Sequence, residues 1–331
     1  MAILENNMNN AISILDANTI ELHYWLNDGS HLMDAHVFNR CEYELLGIIQ
    51  EISSSLHIQV DVEVEPLGNG GIKSWLRFKR GDGDKIRIAF LIFLLTEILC
   101  TPITTTLSRV TNKAIDYFFE DSEIKALEKE LKKEELKYDI VQLKHKTQLL
   151  CDSIDENKIK KKRSNYFQAA GECKKLDKIS VSITDENKIL QVNNKDILYA
   201  DFSKFIMTSD SLEPDYDENA VIEIISPVLK KGRYMWLGIY KDNVIQFQMK
   251  SNEFKSLVQT GKIPFQNGSS ILCQLVTKKK INNEGEIKIT GYEVLEVYKY
   301  FVSDKPIETP AGIRRRQRQE ADKMQLNLFG S

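Results

Sequence analysis

Between Ile88 and Ser108 the chain runs IAFLIFLLTEILCTPITTTLS, twenty-one residues with one charge, Glu97, enclosed by Arg87 and Arg109. As one helix, at ~1.5 Å rise per residue, the run would be about 30 Å long, the thickness of a hydrocarbon core. Eleven Leu, Ile and Phe side chains sum to about −5 kcal/mol at roughly −0.3 to −0.6 each, against roughly +3 for a central acidic residue. A segment so balanced is most easily stabilised by oligomerisation, with the acid facing a bundle interior or a water-filled path. The run therefore predicts an apolar helix over 86–110 that is transmembrane or re-entrant; in the alternative it is a soluble helix hidden at a subunit interface. Glu97, Thr101, Thr104 and Thr105 are then the candidate pore or gate residues. Threonine hydroxyls after Pro102 can bond to carbonyls freed by a proline kink and can line a polar path.

The flanks set an orientation. Lys73, Arg77, Lys79, Arg80, Lys85 and Arg87 crowd the upstream side, while downstream Arg109 and Lys113 soon meet Glu120 and Asp121, so the positive-inside rule places the upstream side in the cytoplasm. The first residues, MAILENNMNNAISI, lack the basic-then-apolar order of a signal peptide. Five cysteines, at 41, 100, 151, 173 and 273, form no CxxC and no close pair, which argues against a disulfide framework or a zinc site and for a reducing compartment.

Residues 18–82 read as a small α+β domain after a flexible 1–17. TIELHYWL, residues 19–26, is a strand, a helix follows over about 33–56, and the alternation in IQVDVEVEPL is a half-buried strand. LGNGG lacks the spacing of a phosphate-cradling loop and reads as a turn. Residues 111–160 are highly charged, with Ile124, Leu127, Leu131, Tyr138, Val141 and His145 near one stripe. They predict a long exposed helix, either an oligomerising stalk or a solvated helix packed on its own domain, with KIKKKRSNYF ending it as a basic linker. From 175 to 303 short β-rich runs alternate with turns, and EFKSLVQTG, residues 253–261, is the one helical stretch among the later strands. This predicts a β-rich domain, an OB-like barrel or a sandwich. The fold class is thus α+β, closed by a flexible tail over 304–331.

No catalytic constellation is present: the chain lacks GxSxG, HExxH and Walker A. His31 and His36 flank Asp34 where a cap explains the pattern better than a metal. The expectation is a protein that is not an enzyme and holds no cofactor or metal. The net charge of −3 confines any nucleic-acid surface to a local patch. Two such patches exist. Lys230, Lys231, Arg233, Tyr234 and Trp236 mix cations with rings, and Lys278, Lys279 and Lys280 form a second cluster. Cations with stackable rings suit single-stranded DNA or a nucleotide; equally, Trp236 sits in a core-like alternation and strand-end lysines protect edges.

Near the carboxyl end stands Gln325-Leu326-Asn327-Leu328-Phe329. It resembles the QLxLF peptide by which bacterial polymerases and repair proteins hold the β sliding clamp, and the resemblance implies partner-binding roles for Gln325, Leu326, Leu328 and Phe329. The whole layout, an apolar segment at 88–108 joined to a basic-aromatic β domain, resembles membrane effectors of bacterial antiphage defence. It is similar in plan to the channel-forming partner of the Hailong type, in which a DNA signal holds the channel closed. The resemblance implies a non-enzymatic homo-oligomeric pore in the bacterial inner membrane, with soluble domains in the cytoplasm. The alternative is a cytoplasmic adaptor tethered to the clamp through its tail.

Overall fold

The computed structural model describes residues 17–30, 32–65, 72–79, 85–120, 134–185, 188, 190–230, 232, 234–302 and 305–329. It shows a mixed α+β chain of two compact units. The first holds residues up to Thr208 and the turn Asn283–Glu286; the second holds Ser209–Asn282 and Ile287–Ser331.

The first unit is built on an antiparallel sheet with the order β2-β3-β1-β4-β5, from β1 (Thr19–Leu26), β2 (Val62–Glu65), β3 (Ile72–Phe78), β4 (Leu176–Thr184) and β5 (Leu190–Leu198). Ile20, Leu22 and Tyr24 alternate into the core, and Thr19 and His23 on the opposite face of the strand are buried as well, so both faces of β1 are covered. Helix α1 (Ala35–Ser55) starts at Asp34, whose Oδ1 accepts from the N–H groups of His36 and Val37 at 2.8 and 3.2 Å. This cap accounts for Asp34; His31 lies outside the described residues. The strands at 176–184 and 190–198, expected to open the β-rich domain at 175, instead complete this sheet, with β4 paired directly to β1.

The apolar run corrects the expectation of one helix over 86–110. Helix α2 (Lys85–Cys100) has 16 residues, about 24 Å by the rise per residue, and stops at Thr101-Pro102, where the missing N–H and the ring end the ladder. No described helix is long and apolar enough to cross a membrane. Residues Ile88 to Leu95, with Ile98 and Leu99, are each 3% exposed or less. More than two full turns are therefore covered on every side, as in the interior helix of a large core.

The single charged helix expected over 111–160 is also several pieces: α3 (Leu107–Glu120), α4 (Glu134–Cys151) and α5 (Glu156–Glu172). Most of the apolar stripe proposed for it lies where side chains are outside the described residues, and His145 is exposed. The basic stretch read as a linker is α5, capped by Asp155, which accepts from the N–H groups of Asn157 and Lys158. It packs against α1 and buries Tyr166 and Phe167; the hydroxyls of Tyr24 and Tyr166 are 3.1 Å apart, and the Phe167 ring meets those of Phe202 and Phe205. Of the N-terminal stretch expected to be flexible, 1–16 lie outside the described residues, and Ala17 is fully buried; the LGNGG turn is likewise outside them.

The second unit is a five-stranded barrel. β6 (Asp215–Ser226), β7 (Trp236–Tyr240) and β8 (Asn243–Met249) form a meander, β8 pairs in parallel with β10 (Ile287–Val302), and β9 (Ser270–Ile281) joins β10 to β6. The circuit β6-β7-β8-β10-β9-β6 is closed, so no barrel strand is left as a free edge. Helix α6 (Asn252–Gln259) lies between β8 and β9, and its Phe254 and Val258 join Trp236 and Phe247 in the core. A short β11 (Lys305–Glu308) extends β10.

The tail expected to be flexible forms α7 (Pro310–Phe329). Thr309 Oγ1 accepts from the Gly312 N–H at 3.1 Å and lies 3.0 Å from the Tyr298 carbonyl, to which it donates. A Cβ at Gly312 would stand 2.1 Å from that carbonyl oxygen, a backbone atom that cannot swing aside. Gly312→Ala is expected to cost about 1–3 kcal/mol through this clash, read as a lower urea midpoint of Trp236 fluorescence. An unchanged midpoint would mean that the helix does not start against β10.

Candidate nucleic-acid interface

Barrel closure decides which of the basic and aromatic residues meet. Because β7 and β8 are antiparallel, Trp236 stands opposite Phe247, and the loop before β7 is brought beside the segment that leaves β8 for α6. Between them lies a pocket of about 220 Å³ lined by Lys230, Gly232, Tyr234, Trp236, Gln248, Met249, Lys250, Asn252, Lys255 and Gln259, with Val228. Tyr234 is 59% exposed, a ring free to stack; Trp236, at 1%, is a core residue that contributes only part of the wall. Gly232 has φ +150°, and a Cβ there would lie 2.6 Å from the Tyr234 ring, so glycine lets the loop lie against that ring.

Of the residues expected to bind nucleic acid, Lys230 and Tyr234 share this pocket, while Lys231 and Arg233 lie outside the described residues. The second cluster is largely neutralised. Lys278 pairs with Glu293 at 2.9 Å and Lys279 with Asp215 at 2.6 Å, ion pairs between neighbouring strands. Lys250, which the sequence reading did not single out, pairs with the same Glu293 at 3.3 Å. Burial raises the Glu293 pKa, yet the hydrogen bonds from Lys278 and Lys250 outweigh it and leave this carboxyl below its ordinary range. Lys255, also missed, extends the pocket from α6 and, like Lys230, meets no carboxylate among the described residues. Spacing along the chain could not reveal either lysine, because the β8–α6 junction becomes a neighbour of residue 230 only when β7 and β8 pair.

The expected gate residues belong to the first unit, around the end of α2. Glu97 forms an ion pair with Lys195 of β5, its side chain 13% exposed. Arg163 of α5 is buried and donates to the carbonyls of Ile98 at 2.6 Å and Thr101 at 2.9 Å. Burial lowers its pKa to about 10, with Glu156 opposing the shift, so the guanidinium stays charged at neutral pH. A cation over the last carbonyls of a helix is favourable both as a hydrogen bond and against the helix dipole. Glu156 in turn accepts from the Leu107 N–H at 3.0 Å, the matching anion at the start of α3. Thr101 therefore serves through its carbonyl, and Thr104 and Thr105 lie in the connecting turn. The side chains of Gln325, Leu326, Leu328 and Phe329 lie outside the described residues.

Among the described residues no cluster of His, Cys, Asp and Glu is arranged to hold a metal ion. Burial pushes the thiols of Cys41, Cys100 and Cys151 up to about 12, so none of these three is a nucleophile at neutral pH. Compared with protein-family models, with curated proteins and with solved structures, the chain matches none.

Proposed function

We propose that this chain is a non-enzymatic effector whose barrel binds single-stranded DNA or a nucleotide, and whose first unit carries the output. The observation that carries the reading is the lysine-lined pocket at the mouth of a barrel with 1-2-3-5-4-1 strand order. That order is the connectivity of OB barrels, which commonly hold oligonucleotides on their second and third strands and adjoining loops. Lys230 and Lys255 supply positive charge, and the exposed Tyr234 supplies a stacking face worth roughly 1 to 3 kcal/mol per base. In fluorescence anisotropy with a twelve-nucleotide oligodeoxythymidine, Tyr234→Ala is expected to weaken binding about tenfold and Lys230→Glu at least as much, the latter with a shallower salt slope. Absence of binding by the unsubstituted protein would overturn the proposal.

The output we propose is the pore suggested by the likeness to antiphage membrane effectors, and one observation favours keeping it: from Ile88 to Leu95 α2 is apolar on every side, so whatever covers that stretch must be protein or lipid. A homo-oligomer in which α2 exchanges its protein cover for a membrane would use Glu97 once its partner Lys195 is withdrawn. The clamp-like peptide is proposed as a tether for the same molecule, with the clamp as its partner.

A further inference from the structure

Resting on the nucleic-acid reading of the barrel, we propose that its pocket takes a terminal phosphomonoester of the bound strand in preference to an internal phosphodiester. The Gln259 side-chain amide donates to the Lys230 carbonyl at 3.2 Å and ties the loop to the last turn of α6, while Met249, 2% exposed, and Trp236 close the inner side. A phosphate within a strand has two ester arms and needs two ways out; a terminal phosphate needs one. Charge points the same way. Lys230, Lys250 and Lys255 line one cavity of about 220 Å³, and of these Lys250 alone shares a carboxylate among the described residues, one that Lys278 also draws on. That surplus of cations matches a phosphate carrying close to two negative charges at neutral pH better than a diester carrying one. Each ammonium can add a charge-assisted hydrogen bond.

The test uses the full chain and one internally labelled oligodeoxythymidine in three forms, with a 5′-phosphate, with a 3′-phosphate, and with hydroxyls at both ends. One phosphorylated form is expected to bind about tenfold more tightly than the hydroxyl form, and Lys255→Gln is expected to bring that ratio to about one whatever its absolute affinity. Equal affinity for all three forms would overturn the terminal-phosphate inference and leave the strand-binding reading standing. Binding of none would overturn both. A preference that survives in Lys255→Gln and in Lys230→Gln would place phosphate recognition outside this pocket, and so overturn the inference as well.

Discussion

Replacing Arg163 with methionine is expected to destabilise the first unit by about 3 to 5 kcal/mol, the usual cost of removing one partner from a buried charged network. Arg163 is 3% exposed, and its guanidinium closes the carbonyls of Ile98 and Thr101. Methionine fills much of the volume and donates nothing, so the end of α2 keeps its buried acceptors without a partner, and the Glu156 carboxylate loses a nearby cation. The measurement is urea unfolding followed by the fluorescence of Trp25 and Trp75 in a background where Trp236, of the second unit, is phenylalanine. An unfolding free energy within about 0.5 kcal/mol of the parent's, the range of ordinary surface substitutions, would mean that Arg163 does not hold the end of α2.

Leu91→Lys is expected to be more severe. Leu91 is fully buried in the middle of α2, and an ammonium placed there would sit in an apolar core. The penalty exceeds about 4 kcal/mol, against a total stability of about 5 to 15 kcal/mol for a folded domain. The purified variant should lose the cooperative transition of Trp25 and Trp75, and protease should cut within residues 85–120. A folded Leu91→Lys protein with the parental transition would mean that this position faces water, and that α2 is not an interior helix.

Much of the local structure was legible in the sequence. β1 was read to the residue, because Ile20, Leu22 and Tyr24 alternate cleanly before a turn, and α1 came within two residues because Asp34 supplies a cap. The helix at Phe254 stood out among strands through its different period. What escaped depends on partners far apart in the chain. Nothing near residues 176–198 says that they pair with β1 and not with the strands that follow them. Arg163 looks like one more cation in KIKKKRSNYF, since its partners are backbone carbonyls sixty residues away, which leave no trace in charge pattern. Hydropathy sums continue through Pro102 and so overstate the helix, whereas the hydrogen-bond ladder ends at Cys100. For the pocket, Lys230 and Tyr234 were visible as neighbours; Lys250 and Lys255 required knowledge of which strands close the barrel.

The position of β1 between β3 and β4 sets an order of events during synthesis. β1 leaves the ribosome early, but its second neighbour ends at Thr184 and the sheet is complete only at Leu198. At about 5 to 20 residues per second, α2 waits roughly 5 to 20 seconds after its own last residue before β4 and β5, against which it packs, have been made. Throughout that interval a helix apolar on every side has no finished core to enter. A nascent chain of this design therefore carries an uncovered apolar helix for seconds, the kind of transiently exposed surface that makes a folding intermediate prone to aggregate.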